Sequence, residues 1–361
     1  MDQRSEESVN DGVQQRLQAY CVQLFADRQV RVGRVARVGA GWETEIYSFD
    51  VESRPAAQVR REGLIVRLYP GDGASAKAAH EFQGMRQLHD SGYPVPRVFA
   101  LEGDSAPLGR PFILMERIDG EIMWPLLISS TGGHQQQLLT LFCELFLWLH
   151  RLDWRPFVDD AERYEREGPS YAFVDGCLSD ASAAFARFPL PGFDRLLGWL
   201  QEQRHLLPCS QPSVVHGDFH PYNILLRGDG SPAVIDWSGL RVTDARFDLA
   251  WTLLLTSTYA GAGWRDLILH EYERLAGAKM AQIERFEAFA CARRLFEVTA
   301  SLSEGAERFG MRPEAVAMMQ QQKEPLKRVY DLLLARTGLR LAAVETVLAS
   351  PPLAPGTISA V

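Results

Sequence analysis

The chain has 361 residues, of which 46% are hydrophobic and 23% are charged, and its formal net charge is -8 at pH 7. This length can bury the core of one two-lobed unit or of two domains. The acidic balance argues against nucleic acid as the main partner, because binding to phosphates requires a basic surface. An acidic surface fits a cationic small ligand, although it is also common among soluble proteins.

The five cysteines are scattered along the chain and never form a Cys-x-x-Cys pair. This pattern predicts neither a disulfide framework nor a zinc site, and it favours a reducing compartment. The first ten residues are polar and acidic, unlike the start of a signal peptide. No apolar run approaches the length of about 18 residues that a membrane helix needs. We therefore expect a cytoplasmic protein without a membrane segment, and the sequence leaves the oligomeric state open.

Hydrophobic periodicity predicts the elements of the first third of the chain. A disordered lead-in over residues 1–10 precedes a helix at 13–25. Alternating residues predict two strands, 34–38 and 45–51, which form a hairpin around Gly39-Ala40-Gly41. The elements that follow are a strand at 63–69, a helix at 76–90 and a strand at 110–116.

After Gly120 the pattern becomes mostly helical. Helices are predicted at 136–152 and 193–205, and helical structure again from 247 to 334. Residues 155–185 are mixed and charged, and they predict an insertion or an acceptor-site segment. These patterns predict an α+β fold, in which a small antiparallel sheet with one main helix precedes a larger, mostly helical part. The predicted boundaries are 1–29 for an N-terminal tail and helix, 30–119, 120–340, and 341–361 for a loose C-terminal tail.

The most informative stretch begins at His216 and ends at Asn223, followed by an apolar run. It places Asp218 two residues after the histidine and five residues before the carboxamide. A second apolar run, 233–235, ends at Asp236. Phosphoryl transfer from a nucleotide requires a carboxylate near the acceptor hydroxyl and oxygen-rich side chains that hold magnesium. An isolated Asp or Asn would more often cap a turn, but two paired strands would bring these carboxylates to a common cleft.

The pattern His-Gly-Asp-x-x-x-x-Asn followed by Ile-Asp-Trp resembles the aminoglycoside phosphotransferase and choline kinase superfamily, over residues 30–335. These enzymes are small-molecule relatives of protein kinases. Protein kinases carry Arg at the position of Gly217 and Asp-Phe-Gly at the position of Asp236-Trp237-Ser238. The resemblance implies a two-lobed protein-kinase-like fold, with a nucleotide-binding N-lobe and hinge at 30–119 and a catalytic, acceptor-binding C-lobe at 120–340.

The resemblance also implies roles for individual residues. Asp218 would be the catalytic base, and Asn223 and Asp236 would hold Mg2+. His216 would support the backbone of the loop. Asp248, which precedes a helical run, resembles an aspartate of the superfamily with a structural role, and it could cap that helix.

On the nucleotide side, Gly39 and Gly41 would allow backbone amides to approach the triphosphate, although such a hairpin turn is common without this role. Kinases offer a strand lysine to the phosphates and pair it with a helix glutamate. Here Arg67 occupies the matching place and Glu81 is the expected partner. A guanidinium can bind phosphate oxygens through two parallel hydrogen bonds.

Residues 115–120 end an apolar strand and match the linker between the lobes of a kinase. There the backbone of Glu116 and of Ile118 would contact the adenine edge. Backbone recognition tolerates many sequences, so both ATP and GTP remain candidate phosphate donors.

The resemblance implies a small hydroxylated acceptor such as an aminoglycoside, a macrolide, an aminoalcohol or a sugar. An antibiotic acceptor would make antibiotic resistance the biological role. An acidic cluster within 159–167 could meet an amine, although such charges usually face solvent. The segments 42–45 and 235–237 resemble the macrolide-phosphorylating branch, which favours a larger apolar site.

Two alternatives remain. A nucleotide-binding module of the pseudokinase type, without turnover, is supported by the missing strand lysine and opposed by Asp218, Asn223 and Asp236. A protein kinase is opposed by Gly217 and by the missing Ala-Pro-Glu-type segment. A dinucleotide-binding oxidoreductase is excluded, because its glycine motif joins a strand to a helix.

Overall fold

The computed structural model describes residues 3–38, 44–53, 60–162, 170–304 and 323–350. The glycine turn at 39–41 lies outside this set. The chain divides into two compact units, of which the first comprises Met1–Trp124 and Tyr222–Ser238. The second comprises Pro125–Pro221 and Gly239–Val361. The hairpin that follows the His216–Asn223 stretch therefore belongs to the same unit as the N-terminal sheet.

The first unit is built on an antiparallel sheet with the strand order β1-β2-β3-β5-β4. Its strands are β1 (Arg31–Arg37), β2 (Glu45–Ser53), β3 (Arg60–Leu68), β4 (Val98–Glu102) and β5 (Phe112–Glu116). Helix α2 (Ala74–Asp90) follows β3. Tyr47, Phe49 and Val51 alternate along β2 and are buried in the core of this unit. This two-residue period is what turns one face of a strand toward a core.

Helix α1 (Gln3–Leu24) covers the edge strand β1. The amide of Gln18 accepts a hydrogen bond from the backbone N–H of Val32 (2.7 Å) and donates one to the carbonyl of Val30 (2.7 Å). The side chain of Gln18 thus satisfies edge groups that a neighbouring strand would otherwise satisfy.

Because α1 begins at Gln3, the prediction of a disordered lead-in is wrong from that residue onward. Its residues lack an apolar period, but Gln, Arg and Glu are good helix formers.

A small sheet with the order β6-β8-β9 completes the first unit. It consists of β6 (Gly120–Ile122), β8 (Ile224–Arg227) and β9 (Pro232–Val234). A tight turn joins β8 to β9, in which the N–H of Gly230 donates to the carbonyl of Arg227 at 2.8 Å. At Gly120 a Cβ atom would lie 2.6 Å from the carbonyl oxygen of Leu226, so this close pairing requires glycine.

The second unit is mostly helical, and its described residues include a small antiparallel pair, β7 (Ser213–Val215) with β10 (Arg241–Thr243). Among the described residues, the helices after β6 are α3 (Met123–Ser129), α4 (Gly132–Arg151), α5 (Ala172–Arg187), α6 (Phe193–Gln203), α7 (Ala245–Ala260), α8 (Ala262–Ala276), α9 (Ile283–Glu304), α10 (Lys323–Thr337) and α11 (Ala342–Ala349). The sequence patterns did not reveal β4 or α5, and α11 lies in the segment predicted to be a loose tail. Of the helices in the described ranges, none is long and apolar enough to span a membrane.

Candidate active site

The loop that carries Asp218 begins where β7 ends. Its first residues cross very close to the backbone at Gly239, which precedes β10. Gly217 has φ +82°, and a Cβ atom on it would lie 2.7 Å from the carbonyl oxygen of Gly239. A Cβ atom on Gly239 would lie 2.7 Å from the carbonyl oxygen of His216. Two glycines are therefore needed to hold the loop in this position.

Replacing Gly217 with Ala is expected to lower the free energy of unfolding by at least about 1–3 kcal/mol, the usual cost of a strained backbone residue. The contact with backbone at Gly239 adds to this cost, because the backbone cannot move aside. Denaturant unfolding monitored by circular dichroism measures the change. Gly198→Ala in α6 is the matched control, since no atom lies within 4 Å of the added Cβ, and it should be neutral or stabilising. Equal changes in the free energy of unfolding for the two substitutions would show that the loop does not require glycine at position 217.

Asp248 holds the same loop from the first turn of α7. Its carboxylate accepts hydrogen bonds from the backbone N–H of His216 (2.7 Å) and of Gly217 (2.9 Å). His150 Nε2 lies 3.4 Å from the same carboxylate. Burial alone would raise the pKa of Asp248, but His150 and the hydrogen bonds lower it below its ordinary value. Asp248 therefore stabilises the loop as a carboxylate, and this contribution is lost as the pH falls through its depressed pKa.

The helix cap is a different residue from the one that the sequence suggested. The side chain of Asp244 accepts a hydrogen bond from the backbone N–H of Arg246 and is the N-cap of α7. Asp248 lies one turn further along, so the prediction that it could cap the helix is wrong. The physical reason is that its carboxylate is committed to the loop backbone.

The carboxylate of Asp218 contacts an indole and an imidazole. The indole N–H of Trp251 donates a hydrogen bond to Oδ1 at 2.7 Å, and His220 Nε2 lies 3.4 Å from Oδ2. Burial would raise the pKa of Asp218, but His220, Trp251 and His216 outweigh it and lower the pKa well below 3.8. The side chain of Asp218 is nevertheless 44% exposed, so a ligand can reach it. Sequence reasoning missed Trp251, which lies 33 residues further along the chain.

Replacing Trp251 with Phe is expected to raise the pKa of Asp218 by about one to two units. The removed hydrogen bond stabilises the carboxylate, and a bond to a charged group contributes about 1.5–3 kcal/mol. Carbon-13 NMR of the aspartate carboxyl groups measures the titration directly. Trp148→Phe, at an exposed indole, is the control and should leave the titration unchanged. An unchanged pKa of Asp218 in the Trp251 variant would contradict the proposed contact.

A buried ion pair lies in the first unit between β3 and α2. The guanidinium of Arg67 donates from Nη1 to Glu81 Oε1 (3.1 Å) and to Asp236 Oδ1 (2.9 Å). Tyr69 donates its hydroxyl to Glu81 Oε2 at 2.7 Å. Arg67 and Glu81 are 8% and 2% exposed. Burial would lower the pKa of Arg67, but Glu81 and Asp236 outweigh it and raise the pKa, so the guanidinium stays charged.

One buried donor of this guanidinium has no acceptor among the described residues. Within the described part of the chain, Arg67 Nε is buried and has no hydrogen-bond partner. A buried donor without an acceptor costs free energy, which is why such atoms are rare in native proteins. An anionic oxygen atom bound beside Arg67 would remove this cost.

The hairpin β8-β9 positions Asn223 and Asp236 at one end. Ile224 pairs with Val234, and the N–H of Ile235 donates to the carbonyl of Asn223 at 2.9 Å. Asp236 follows with φ +65°, an uncommon conformation for a residue other than glycine, and such outliers cluster at functional sites. Its side chain is 43% exposed.

The donor set of this hairpin fits a hard cation. Mg2+ prefers oxygen ligands and is commonly held by one or two carboxylates together with substrate phosphates. Asn223 has an amide oxygen and Asp236 a carboxylate. In the ranges that the structure describes, no cluster of three or more His, Cys, Asp or Glu side chains could hold a metal by itself. The pair therefore suits a magnesium ion that is shared with a bound triphosphate.

The remaining predicted residues have varied surroundings. Glu116 ends β5, and its carboxylate accepts hydrogen bonds from Arg227 Nη2 (2.7 Å) and from the N–H of Arg97 (3.1 Å). Ile118 follows and is half-buried.

Trp237 is fully buried and packs edge-on against Tyr93, so it is a core residue. Gly39, Gly41, Glu165 and Glu167 lie outside the described residues, whereas Asp159, Asp160 and Glu162 are exposed.

The N-terminal antiparallel sheet and the mostly helical unit that follows define a kinase-like fold. The model of the phosphotransferase enzyme family (APH) matches residues 34–286, and the chain belongs to this family. The predicted family resemblance and the predicted α+β, two-lobed kinase-like fold class are therefore confirmed.

The curated relatives and solved structures that this chain resembles are similar to it at low identity. Acyl-CoA dehydrogenase family member 10 of Mus musculus is 27% identical over 220 residues, which are 58% of this chain and 20% of that protein. The chain thus spans about a fifth of that relative. A Ralstonia eutropha protein provisionally described as an aminoglycoside phosphotransferase has a TM-score of 0.59 and 16% identity, over 88% of this chain and 98% of its own. A choline/ethanolamine kinase family protein of Mesorhizobium loti has a TM-score of 0.57 and 16% identity, over 92% and 98%. These structural similarities show the fold alone.

Proposed function

We propose that the chain transfers the γ-phosphate of ATP or GTP to a hydroxyl group of a small molecule. The observation that carries this proposal is the buried guanidinium of Arg67, which bridges Glu81 and Asp236 and keeps a buried donor, Nε, without a partner among the described residues. A fixed, charged donor of this kind is suited to phosphate oxygens.

On the donor side, Arg67 would bind the phosphates while Glu81 fixes its orientation. The amides of Gly39 and Gly41 would approach the triphosphate, and the backbone of Glu116 and Ile118 would contact the base. The donor site would thus fall within the proposed N-lobe and hinge, residues 30–119. The hairpin residues Asn223 and Asp236 would hold Mg2+, which neutralises charge on the β- and γ-phosphates.

On the acceptor side, Asp218 would accept a hydrogen bond from the reacting hydroxyl. The hydroxyl oxygen forms a bond to the γ-phosphorus as the bond from that phosphorus to the β–γ bridging oxygen breaks. The nucleoside diphosphate leaves, and the proton of the hydroxyl passes to Asp218 and then to solvent. The transition state of such transfers is loose, so the low pKa of Asp218 suits a residue that mainly orients the nucleophile.

The acceptor candidates are aminoglycosides, macrolides, aminoalcohols and sugars. A hydroxylated acyl-CoA joins them, because the curated relative is named as an acyl-CoA dehydrogenase family member. That name belongs to a protein of which this chain matches only 20%, so the acyl-CoA remains one acceptor among several.

The test is a screen in which γ-labelled ATP and GTP are incubated with each acceptor class, with and without Mg2+. The expected result is a labelled phosphomonoester of one acceptor class, formed only with Mg2+. Binding of magnesium-nucleotide without transfer to any acceptor would instead support a binding module without turnover. Label found only on protein substrates would support the protein kinase alternative.

A further inference from the structure

Two arginines of the second unit flank the loop that carries Asp218. Arg241 begins β10, and its backbone pairs with Val215, three residues before Asp218. The residue is exposed to solvent, although its guanidinium is partly desolvated. Within the described ranges, its guanidinium forms no hydrogen bond and no ion pair. The charge of Arg241 is therefore available to a ligand beside the loop.

Arg293 approaches the loop from α9. Its guanidinium carbon lies 4.1 Å from the ring centroid of Trp251, within the range of a cation–π interaction. Its Nη1 donates to the carbonyl of Gly217 at 3.4 Å, and its Nε donates to Glu297 at 2.9 Å. Trp251 in turn donates to Asp218. One indole ring thus separates the positive charge of Arg293 from the carboxylate of Asp218.

The positive charge of Arg293 acts on the guanidinium of Arg241. Partial desolvation and this charge both lower the pKa of Arg241. Two like charges that interact within a protein cost free energy. A bound anion would remove that cost, whereas a bound cation would increase it.

The carboxylates of Glu297, Asp218 and Asp248 raise the pKa of Arg293 against its desolvation, but the acidic groups near Arg241 do not outweigh desolvation and the charge of Arg293 there. Asp248 uses its carboxylate on two backbone N–H groups of the loop. Glu297 is paired with Arg293, and Asp180 on α5 is exposed and forms no described ion pair with Arg241.

We propose that the acceptor carries an anionic group, either a carboxylate or a phosphate, which Arg241 and Arg293 bind while its hydroxyl faces Asp218. This inference rests on the proposed function, because it assigns the acceptor class of the same reaction. Guanidinium groups bind both kinds of anion through paired hydrogen bonds. The acidic overall charge suggested a cationic ligand, but the charges beside Asp218 favour the opposite.

The test measures binding by thermal shift, in the presence of Mg2+ and a non-hydrolysable ATP analogue that occupies the donor site. Four probes of equal chain length differ only in their end group: hydroxyhexanoate, hydroxyhexyl phosphate, hydroxyhexanamide and aminohexanol. The two anionic probes should stabilise the protein and the neutral and cationic probes should not. The stronger of the two anionic probes identifies carboxylate or phosphate as the natural group.

Arg241→Gln should weaken binding of the anionic probes about tenfold or more, since a hydrogen bond to a charged group contributes about 1.5–3 kcal/mol. The substitution breaks no described bond, so folding should be unaffected. Arg195→Gln on α6, at an exposed arginine of the same unit, is the matched control. Arg241→Glu should transfer the preference to aminohexanol.

The inference is overturned if neither anionic probe stabilises the protein, if the amide or the amine stabilises it equally, or if Arg241→Gln binds the anions as the parent does. Binding is measured without phosphate transfer. A failure of the proposed function would instead appear as absent transfer in the acceptor screen, so the two failures are distinguishable.

Discussion

Replacing Asp218 with Asn is expected to slow γ-phosphate transfer by about 10²–10⁴-fold, the usual contribution of a positioned acid–base group. Asn has nearly the same shape, and its amide oxygen can still accept the hydrogen bond from Trp251. It lacks the negative charge that orients the acceptor hydroxyl and receives its proton. Single-turnover kinetics with labelled nucleotide measures the rate, and calorimetry measures the affinity for magnesium-nucleotide, which should be unchanged.

The matched control for this substitution is Asp194→Asn, at an exposed aspartate in the first turn of α6. It removes the same charge from the same unit and should leave the rate unchanged. A rate within about threefold of the parent in the Asp218 variant would contradict a catalytic role. Such a small change corresponds to well under the roughly 1.4 kcal/mol of barrier height that a factor of ten represents. A simultaneous loss of nucleotide affinity would indicate a structural role instead.

Replacing Arg67 with Met is expected to produce two losses that can be separated. The free energy of unfolding should fall by about 3–5 kcal/mol, because Glu81 is then buried without its counter-charge. Magnesium-nucleotide should bind at least about tenfold more weakly, because a charge-assisted hydrogen bond to phosphate is lost. Urea unfolding measures the first effect and calorimetry the second.

The double variant Arg67→Met with Glu81→Gln separates these two effects. A neutral Gln needs no counter-charge, and its amide oxygen can still accept the hydrogen bond from Tyr69, so part of the stability should return. Nucleotide affinity should stay low, because the guanidinium is still absent. Recovery of the affinity in the double variant would show that Arg67 supports the fold and does not bind the phosphates.

The parts of the site that the sequence predicted depend on local patterns. The hairpin β8-β9 is marked by two apolar runs around a glycine-rich turn, and Asn223 and Asp236 lie beside those runs. Arg67 and Glu81 are 14 residues apart, on a strand and the following helix. Their pairing follows from the order of these two elements in a kinase-like fold.

The parts that the sequence did not predict depend on contacts between distant segments. Asp248 binds backbone N–H groups 31 and 32 residues earlier, and Arg293 contacts Gly217 at a separation of 76 residues. No local period marks such contacts, so the surroundings of Asp218 and the arginines beside it were not predicted. Helix α5 was missed for another reason: its buried stripe consists only of Val174, Leu178 and Phe185 among small and polar residues, which gives a weak helical period.

The central claim is that the chain moves phosphate from a magnesium-nucleotide to a hydroxyl. The most direct measurement is label transfer from γ-labelled nucleotide to the best acceptor of the screen across a magnesium titration, in the parent and in Asp236→Asn. We predict no transfer without a divalent cation, saturation at high magnesium in the parent, and a much higher magnesium requirement in the variant. Transfer that persists in the presence of a chelator, or that has the same magnesium dependence in both proteins, would contradict this account.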